Sequence, residues 1–309
     1  MSGPVSFGGE KAVIDRSLKG LYPILSMPFD AKGRIDEEDL RRETEFAISA
    51  GVHGVGIAMA SEVFKLSEAE RDLALRTVVA QTRGRVKVVM HSSAPGTNLA
   101  IKYSRRAEKL GADAVMVTPP TALPMPPTQV VEYFQELSDA ITIPIFVQDI
   151  GSAPVPPHVV AEIARTAENA CYAKVETPPT PPRVAEATRL GGDAVIVFGG
   201  AGGRALIGEL RNGSVGTMPG CAIPEVFHKV WDLYHEGKVA DAEALLTRNM
   251  PMLDMYKESL DVSYHLTKEV LRLRRVFKST YVRHPTIPPG KAAIERVQRL
   301  VEELGLAVI

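Results

Sequence analysis

Short apolar runs and helix-patterned stretches alternate along most of the chain. The runs lie at GLYPILSMPF (20–29), VHGVGIAMA (52–60), VKVVMHSS (86–93) and ADAVMVTPP (112–120), and then at IPIFVQDI (143–150), CYAKVET (171–177), DAVIVFGG (193–200) and GSVGTMPG (213–220). They are mostly β-branched or small and lack polar alternation, as in strands of a parallel sheet buried on both faces. Between them apolar residues recur at helical spacing. In DEEDLRRETEFAISAG, Leu40, Phe46, Ala47 and Ala50 fall near one face while Arg41, Arg42 and Glu45 fall elsewhere. SEAERDLALRTVVAQTRG, TNLAIKYSRRAEKLGA, TQVVEYFQELSDA, PHVVAEIARTAENA and TPPRVAEATRLGG read the same way. Several end as Lys109-Leu110-Gly111 does, with a basic last turn and a glycine stop.

Strand starts recur roughly every 20 to 35 residues, the length of one strand–loop–helix–loop unit. Eight such units occupy residues 20–236, and right-handed parallel crossovers repeated in this way close into an α/β fold, a (β/α)8 TIM barrel. An open doubly wound sheet is the alternative, disfavoured because no GxGxxG turn follows the first run. Residues 1–19 read as a lead-in. From residue 237 to 309 the pattern turns helical only, in VADAEALLTRNMPMLDMYKESL, SYHLTKEVLRLRRVFKS and, after RHPTIPPG, KAAIERVQRLVEELG. This C-terminal helical extension is expected to pack on the barrel and to supply subunit contacts, so a homo-oligomer (dimer or tetramer) is expected.

Composition narrows the function. Thirty-six basic residues oppose thirty-seven acidic ones, a formal net charge of −1, so no basic excess marks a nucleic-acid or anionic-membrane partner. Cys171 and Cys221 lie in apolar runs and lack disulfide-framework or zinc-site spacing, as expected of buried thiols in a reducing compartment. No apolar stretch reaches roughly 18 residues, and MSGPVSFGGEKAVIDRSLKG has no hydrophobic signal core. A cytoplasmic protein is the expectation. The 23 prolines and 25 glycines cluster between the runs, where loops of a repeated unit would turn.

Barrel chemistry gathers at the C-terminal ends of the strands. In order these ends carry Ser26, Ser61-Glu62, His91, Thr118 to Thr121, Gln148-Asp149, Lys174 with Glu176, Gly199-Gly200 and Met218 to Cys221. Lys174 interrupts an apolar strand and shares a side with Tyr172 and Glu176. Burial disfavours the charged form of an amine in general, and a neutral amine is what a Schiff-base nucleophile requires. A structural lysine paired with Asp149 or Glu176 is the commoner reading of a lone strand lysine, so the strand alone does not decide. The run Gly199 to Gly203 suits phosphate binding at a helix start, and equally serves tight packing or room for a substrate. His91 is a general base or a hydrogen-bonded structural residue. Seven histidines without an HxxxH or HxH pair point to no metal.

Taken together these segments resemble the dihydrodipicolinate synthase and N-acetylneuraminate lyase superfamily of Schiff-base aldolases, from Gly20 to the last helix. GLYPILSMPFDAKGRIDEEDL looks like its first strand and helix, LSEAER like its second helix entry, and AKVET like its Schiff-base strand, usually IKE(A/T). The resemblance implies a barrel with C-terminal helices, a frequent homotetramer, an imine on Lys174 and no separate cofactor. Departures are equally clear. The carboxylate-binding loop, usually G(T/S)TGE, reads Ala58-Met59-Ala60-Ser61-Glu62, without the family's first two hydroxyls. The catalytic tyrosine of a YxxP element falls at Thr121. The arginine after YN(V/I)P falls near Ser152, which argues against aspartate semialdehyde as substrate. AxxSE, IPIxVQD, KVETP, LTKEVL and RHP look closer to the sugar-acid members, 2-keto-3-deoxy-L-arabonate dehydratase among them.

The resemblance therefore implies a lyase for a small-molecule 2-keto acid. Lys174 would form the iminium, and the enamine would expel a C4 hydroxyl or break C3–C4 by retro-aldol cleavage. Asp149 is the first-choice proton-transfer group, with Glu62, His91 and Thr121 as others. Ser26, Met59, Ala60, Ser61, Glu62, His91, Glu176, Gly199 and Gly200 are the expected substrate-binding positions. An aldolase or synthase with another acceptor, and a non-enzymatic keto-acid-binding barrel, are the rival readings.

Overall fold

The structure, a computed structural model, describes residues 13–308 other than Pro124. Met1–Ala12 of the lead-in, Pro124 of the Thr121–Pro124 element and Ile309 lie outside the described residues. The strands are Gly20–Leu21 (β1), Gly54–Ile57 (β2), Lys87–His91 (β3), Ala114–Val117 (β4), Ile145–Asp149 (β5), Tyr172–Val175 (β6), Ile196–Gly199 (β7) and Gly216–Thr217 (β8). Between them run Glu37–Ser49 (α1), Glu68–Thr82 (α2), Thr97–Lys109 (α3), Pro127–Ala140 (α4), Pro157–Thr166 (α5), Thr180–Gly191 (α6) and Leu206–Arg211 (α7), with Pro224–His235 (α8) after the last strand. Val239–Met255 (α9), Leu260–Leu273 (α10) and Lys291–Glu303 (α11) follow.

All strand pairs are parallel, in the order β1-β8-β7-β6-β5-β4-β3-β2. The ring closes where Ile24 bridges Gly56, with Leu25 N–H donating to the Gly56 carbonyl at 2.8 Å. A doubly wound sheet is thereby excluded and the (β/α)8 barrel stands.

Local chemistry explains the helix starts. Asp36 accepts from the N–H groups of Glu38 and Asp39 to cap α1, and Ser67 with Glu70 forms a reciprocal capping box on α2. Proline opens α4, α5, α6 and α8, where a missing N–H costs nothing.

The core has two parts. Strand residues facing outward pack against the helices. Inside the barrel, Tyr22, Phe146, Tyr172 and Phe198 form an aromatic layer, with Phe146 stacked on Tyr172 at 4.7 Å between centroids. Lys174, two residues beyond Tyr172, points the same way and sits above this layer. The aromatic layer plugs the barrel and sets the floor of the site.

Candidate active site

A cavity of about 390 Å³ lies over that floor at the C-terminal ends of the strands. Lys174 reaches into its wall, 3% exposed, with Nζ 3.0 Å from Glu176 Oε2. Glu176 is fixed by two further donors: Gln148 Nε2 to Oε2 at 2.7 Å, and Ala201 N–H to Oε1 at 3.1 Å. The β5–β6 register places Gln148 directly beside Lys174. An amine and a carboxylate thus meet at the buried end of the cavity, and the carboxylate is held without another cationic partner among the described residues.

Ser26, Met59 and Ala60 also line the cavity, as expected. Ser26 N–H donates to Glu43 Oε1 at 2.9 Å, and burial pushes that carboxyl well above the usual carboxylate range. Met59 and Ala60 begin the single helical turn Met59–Ser61, whose first N–H groups have no acceptor within the turn.

Other expected residues are placed elsewhere. Asp149 neighbours Gln148, so strand alternation turns it outward, between the barrel and its helices. Its carboxylate accepts from Val155 N–H at 2.8 Å, Thr177 Oγ1 at 2.7 Å, and Arg183 Nε and Nη2 at 3.1 and 3.0 Å. Those bonds fill its acceptor positions, and it is absent from the cavity wall. Thr121 is exposed in the loop before α4 and does not line the cavity either. Ser61 is fully buried, its hydroxyl donating to the Leu25 carbonyl and accepting from Ala58 N–H. Glu62 is also fully buried, in an ion pair with Lys268.

His91 bonds Ser93 Oγ through Nε2 at 3.0 Å and borders a separate small cleft with Arg71 and Tyr103. Burial, aided by the Arg71 and Lys174 cations, depresses it to about 3, so it is a neutral imidazole. Gly199 and Gly200 make room for protein rather than ligand. A Cβ at Gly199 would stand 1.8 Å from Glu209 Oε2, and one at Gly200 2.3 Å from Glu176 Cγ. Glu209 is itself buried, bonded to Thr180 Oγ1 at 2.5 Å, and pushed up to about 7 by burial.

Sequence reasoning missed two sets of residues. Gln148 was passed over for its charged neighbour, although alternation from inward Phe146 selects it. The roof of the cavity comes from α9, α10 and their junction: Leu253, Tyr256, Leu260 and Tyr264 all face it. No local signal announces those contacts, because they lie roughly 80 residues or more from Lys174 along the chain.

The chain is similar to known proteins of one family. The model of the dihydrodipicolinate synthetase family matches residues 17–304. An L-2-keto-3-deoxyarabonate dehydratase from Azospirillum brasilense is 32% identical over 299 residues, covering 93% of this chain and 96% of that protein. A 4-hydroxy-tetrahydrodipicolinate synthase from Xanthomonas campestris pv. campestris is 31% identical, covering 75% and 78%. Among solved structures, a dihydrodipicolinate synthase from Rhodopseudomonas palustris superposes with a TM-score of 0.85 at 26% identity, covering 92% of this chain and 97% of that one. One from Thermotoga maritima, at 20% identity and a TM-score of 0.88 over 93% and 99%, matches in fold. The barrel, its roof and these matches together make this chain a lyase of the dihydrodipicolinate synthetase family.

Proposed function

We propose that the protein dehydrates a 2-keto-3-deoxy sugar acid through an imine on Lys174. The observation that carries this reading is the buried Lys174–Glu176 pair at the cavity floor. Lys174 attacks the C2 carbonyl, and loss of water leaves an iminium that acts as an electron sink. Glu176, within reach of the same nitrogen, accepts the proton that the amine loses, returns it to the C2 hydroxyl as that leaves in water, and then takes the C3 proton that the iminium acidifies. The resulting enamine expels the C4 hydroxyl, which leaves as water on taking that proton. A proton shift from C5 to C3 and tautomerisation of the resulting enol turn the unsaturated alcohol into an aldehyde, and hydrolysis of the imine then frees the lysine and a 2-keto semialdehyde. No separate cofactor enters.

Glu176 replaces the tyrosine missing at Thr121 as the proton-handling group. Its place on the inward side follows from the valine between it and Lys174. Ser26 and the turn at Met59 and Ala60 would hold the carboxylate of the keto acid. The Azospirillum relative, named as a dehydratase, supports the sugar-acid branch. Ser152 lines the cavity where the family arginine would stand, which speaks against an aspartate-semialdehyde acceptor. Retention of the amine in an apolar strand speaks against a merely binding barrel.

Incubation with pyruvate and borohydride should add the reduced adduct to Lys174, read by mass and peptide mapping. An unmodified Lys174 would overturn the imine. A panel of 2-keto-3-deoxy acids should yield 2-keto semialdehydes without C–C cleavage; formation of pyruvate would replace dehydration by aldol cleavage. The same preparation is expected to be a homo-oligomer, dimer or tetramer, by light scattering.

A further inference from the structure

Glu62 is fully buried and left-handed at φ 51°, immediately after the turn that presents Met59 and Ala60 to the cavity. A non-glycine residue in that region is held there by its surroundings. The holders come from the far end of the chain. Lys268 of α10, 1% exposed, donates from Nζ to Glu62 Oε1 at 2.5 Å and to the Tyr281 carbonyl at 2.8 Å. The same ammonium stands 4.6 Å from the Phe29 ring centroid. Glu62 Oε2 receives Lys65 Nζ at 3.1 Å and Arg283 N–H at 3.2 Å. One turn earlier on α10, Tyr264 donates its hydroxyl to the Met59 carbonyl at 2.9 Å.

The turn is thus gripped at both ends from behind, by two residues spaced i, i+4 on one helix. Buried ion pairs are weak contributors to stability compared with apolar packing, yet they demand one geometry. A pair placed here therefore fixes the position of α10 against the turn. Tyr264, which also faces the cavity, ties the same helix to the carbonyl of a substrate-facing residue.

We infer that Lys268, Glu62 and Tyr264 are positioning residues that aim the Met59–Ala60 turn at the carboxylate of the bound keto acid, making α10 a working part of the active site. This rests on the imine reading above and deepens it. None of the three residues touches the reacting carbon. Their loss should weaken capture of a carboxylate-bearing carbonyl and leave capture of a neutral one alone.

The test compares imine trapping by borohydride with two probes, pyruvate and neutral hydroxyacetone, on wild type, Lys268→Met, Glu62→Gln and Tyr264→Phe. Each variant should need about tenfold more pyruvate for half-maximal trapping, the equivalent of losing one or two well-placed hydrogen bonds. Hydroxyacetone trapping should stay at the wild-type level. Equal changes for both probes, or none for pyruvate, would overturn the inference, since general loosening of the barrel does not distinguish charge. Tyr264→Phe removes a single hydroxyl and keeps the test decisive if Lys268→Met fails to fold. If wild type traps neither probe, the imine reading falls and this inference with it; if wild type traps both and the variants match it, only this inference falls.

Discussion

Asp149→Asn separates a residue that builds the barrel from one that does chemistry. The wild-type carboxylate is 1% exposed and takes four hydrogen bonds, two of them from Arg183. Asparagine keeps one acceptor oxygen for Val155 and Thr177 but turns an amide NH₂ toward the guanidinium. Breaking a buried ion pair costs about 3–5 kcal/mol. Arg183 retains 21% side-chain exposure and can be partly rehydrated, so the lower end, about 3 kcal/mol, is expected. With an unfolding entropy of about 2.1 cal/mol/K per residue, that shift lowers the thermal midpoint by about 5 °C for a chain of this length. Thermal melts monitored by circular dichroism give the midpoint, and the rate of borohydride trapping with pyruvate, taken well below it, gives the chemistry. Trapping should stay within about threefold of wild type, whereas Glu176→Gln should lose about a hundredfold, the usual worth of a positioned base. An Asp149→Asn protein with an unchanged midpoint and a hundredfold loss of trapping would refute the outward placement of this carboxylate and return it to the site.

Glu209 predicts a pH signature. Burial, opposed by the Thr180 bond and aided by the Glu176 charge, raises it from 4.5 to about 7, so between those values the folded chain holds a proton that the unfolded chain has released. Its stability contribution is therefore complete below pH 4.5 and is lost as pH rises through 7, by up to about 3 kcal/mol. Glu209→Gln should raise the denaturation midpoint at pH 8 relative to wild type and leave it unchanged at pH 4.5; equal shifts at both would reject the account. His91 behaves oppositely. Its depression to about 3 means the unfolded chain takes up a proton first as pH falls below 6.5, so His91→Gln should flatten the acid limb of stability by up to about 5 kcal/mol. Gly199→Ala drives a methyl into the Glu209 carboxylate and should cost about 1–3 kcal/mol in denaturant titration; adding Glu209→Ala should recover part of that cost, and full additivity would show that the two side chains do not meet.

How far the sequence reached depends on how local each determinant is. Strands, helices and closure into a barrel were legible because buried parallel strands and amphipathic helices have different apolar periods, and because a unit repeated eight times leaves one simple closed arrangement. Lys174 was legible as an amine inside an apolar strand, and the resemblance of the motif around it supplied the chemistry expected of it. The inward side of β5 was harder to read. Ile145, Phe146 and Val147 are all apolar and buried, so polarity along the strand does not say which face is interior, and the choice between Gln148 and Asp149 was lost there. Register against Lys174 restores it.

By itself, then, the sequence determined the architecture and singled out Lys174 as an amine in an apolar strand, because both are written in short-range pattern. Tertiary structure decided the rest. Glycines at 199 and 200, read as space for a ligand, are filled by Glu209 and Glu176. Glu62, read as a substrate contact, is withdrawn into an ion pair with Lys268, 206 residues away along the chain. Whether a polar side chain meets substrate or protein depends on which distant helix covers it, and the partners that satisfy a buried charge are chosen by folding rather than by spacing.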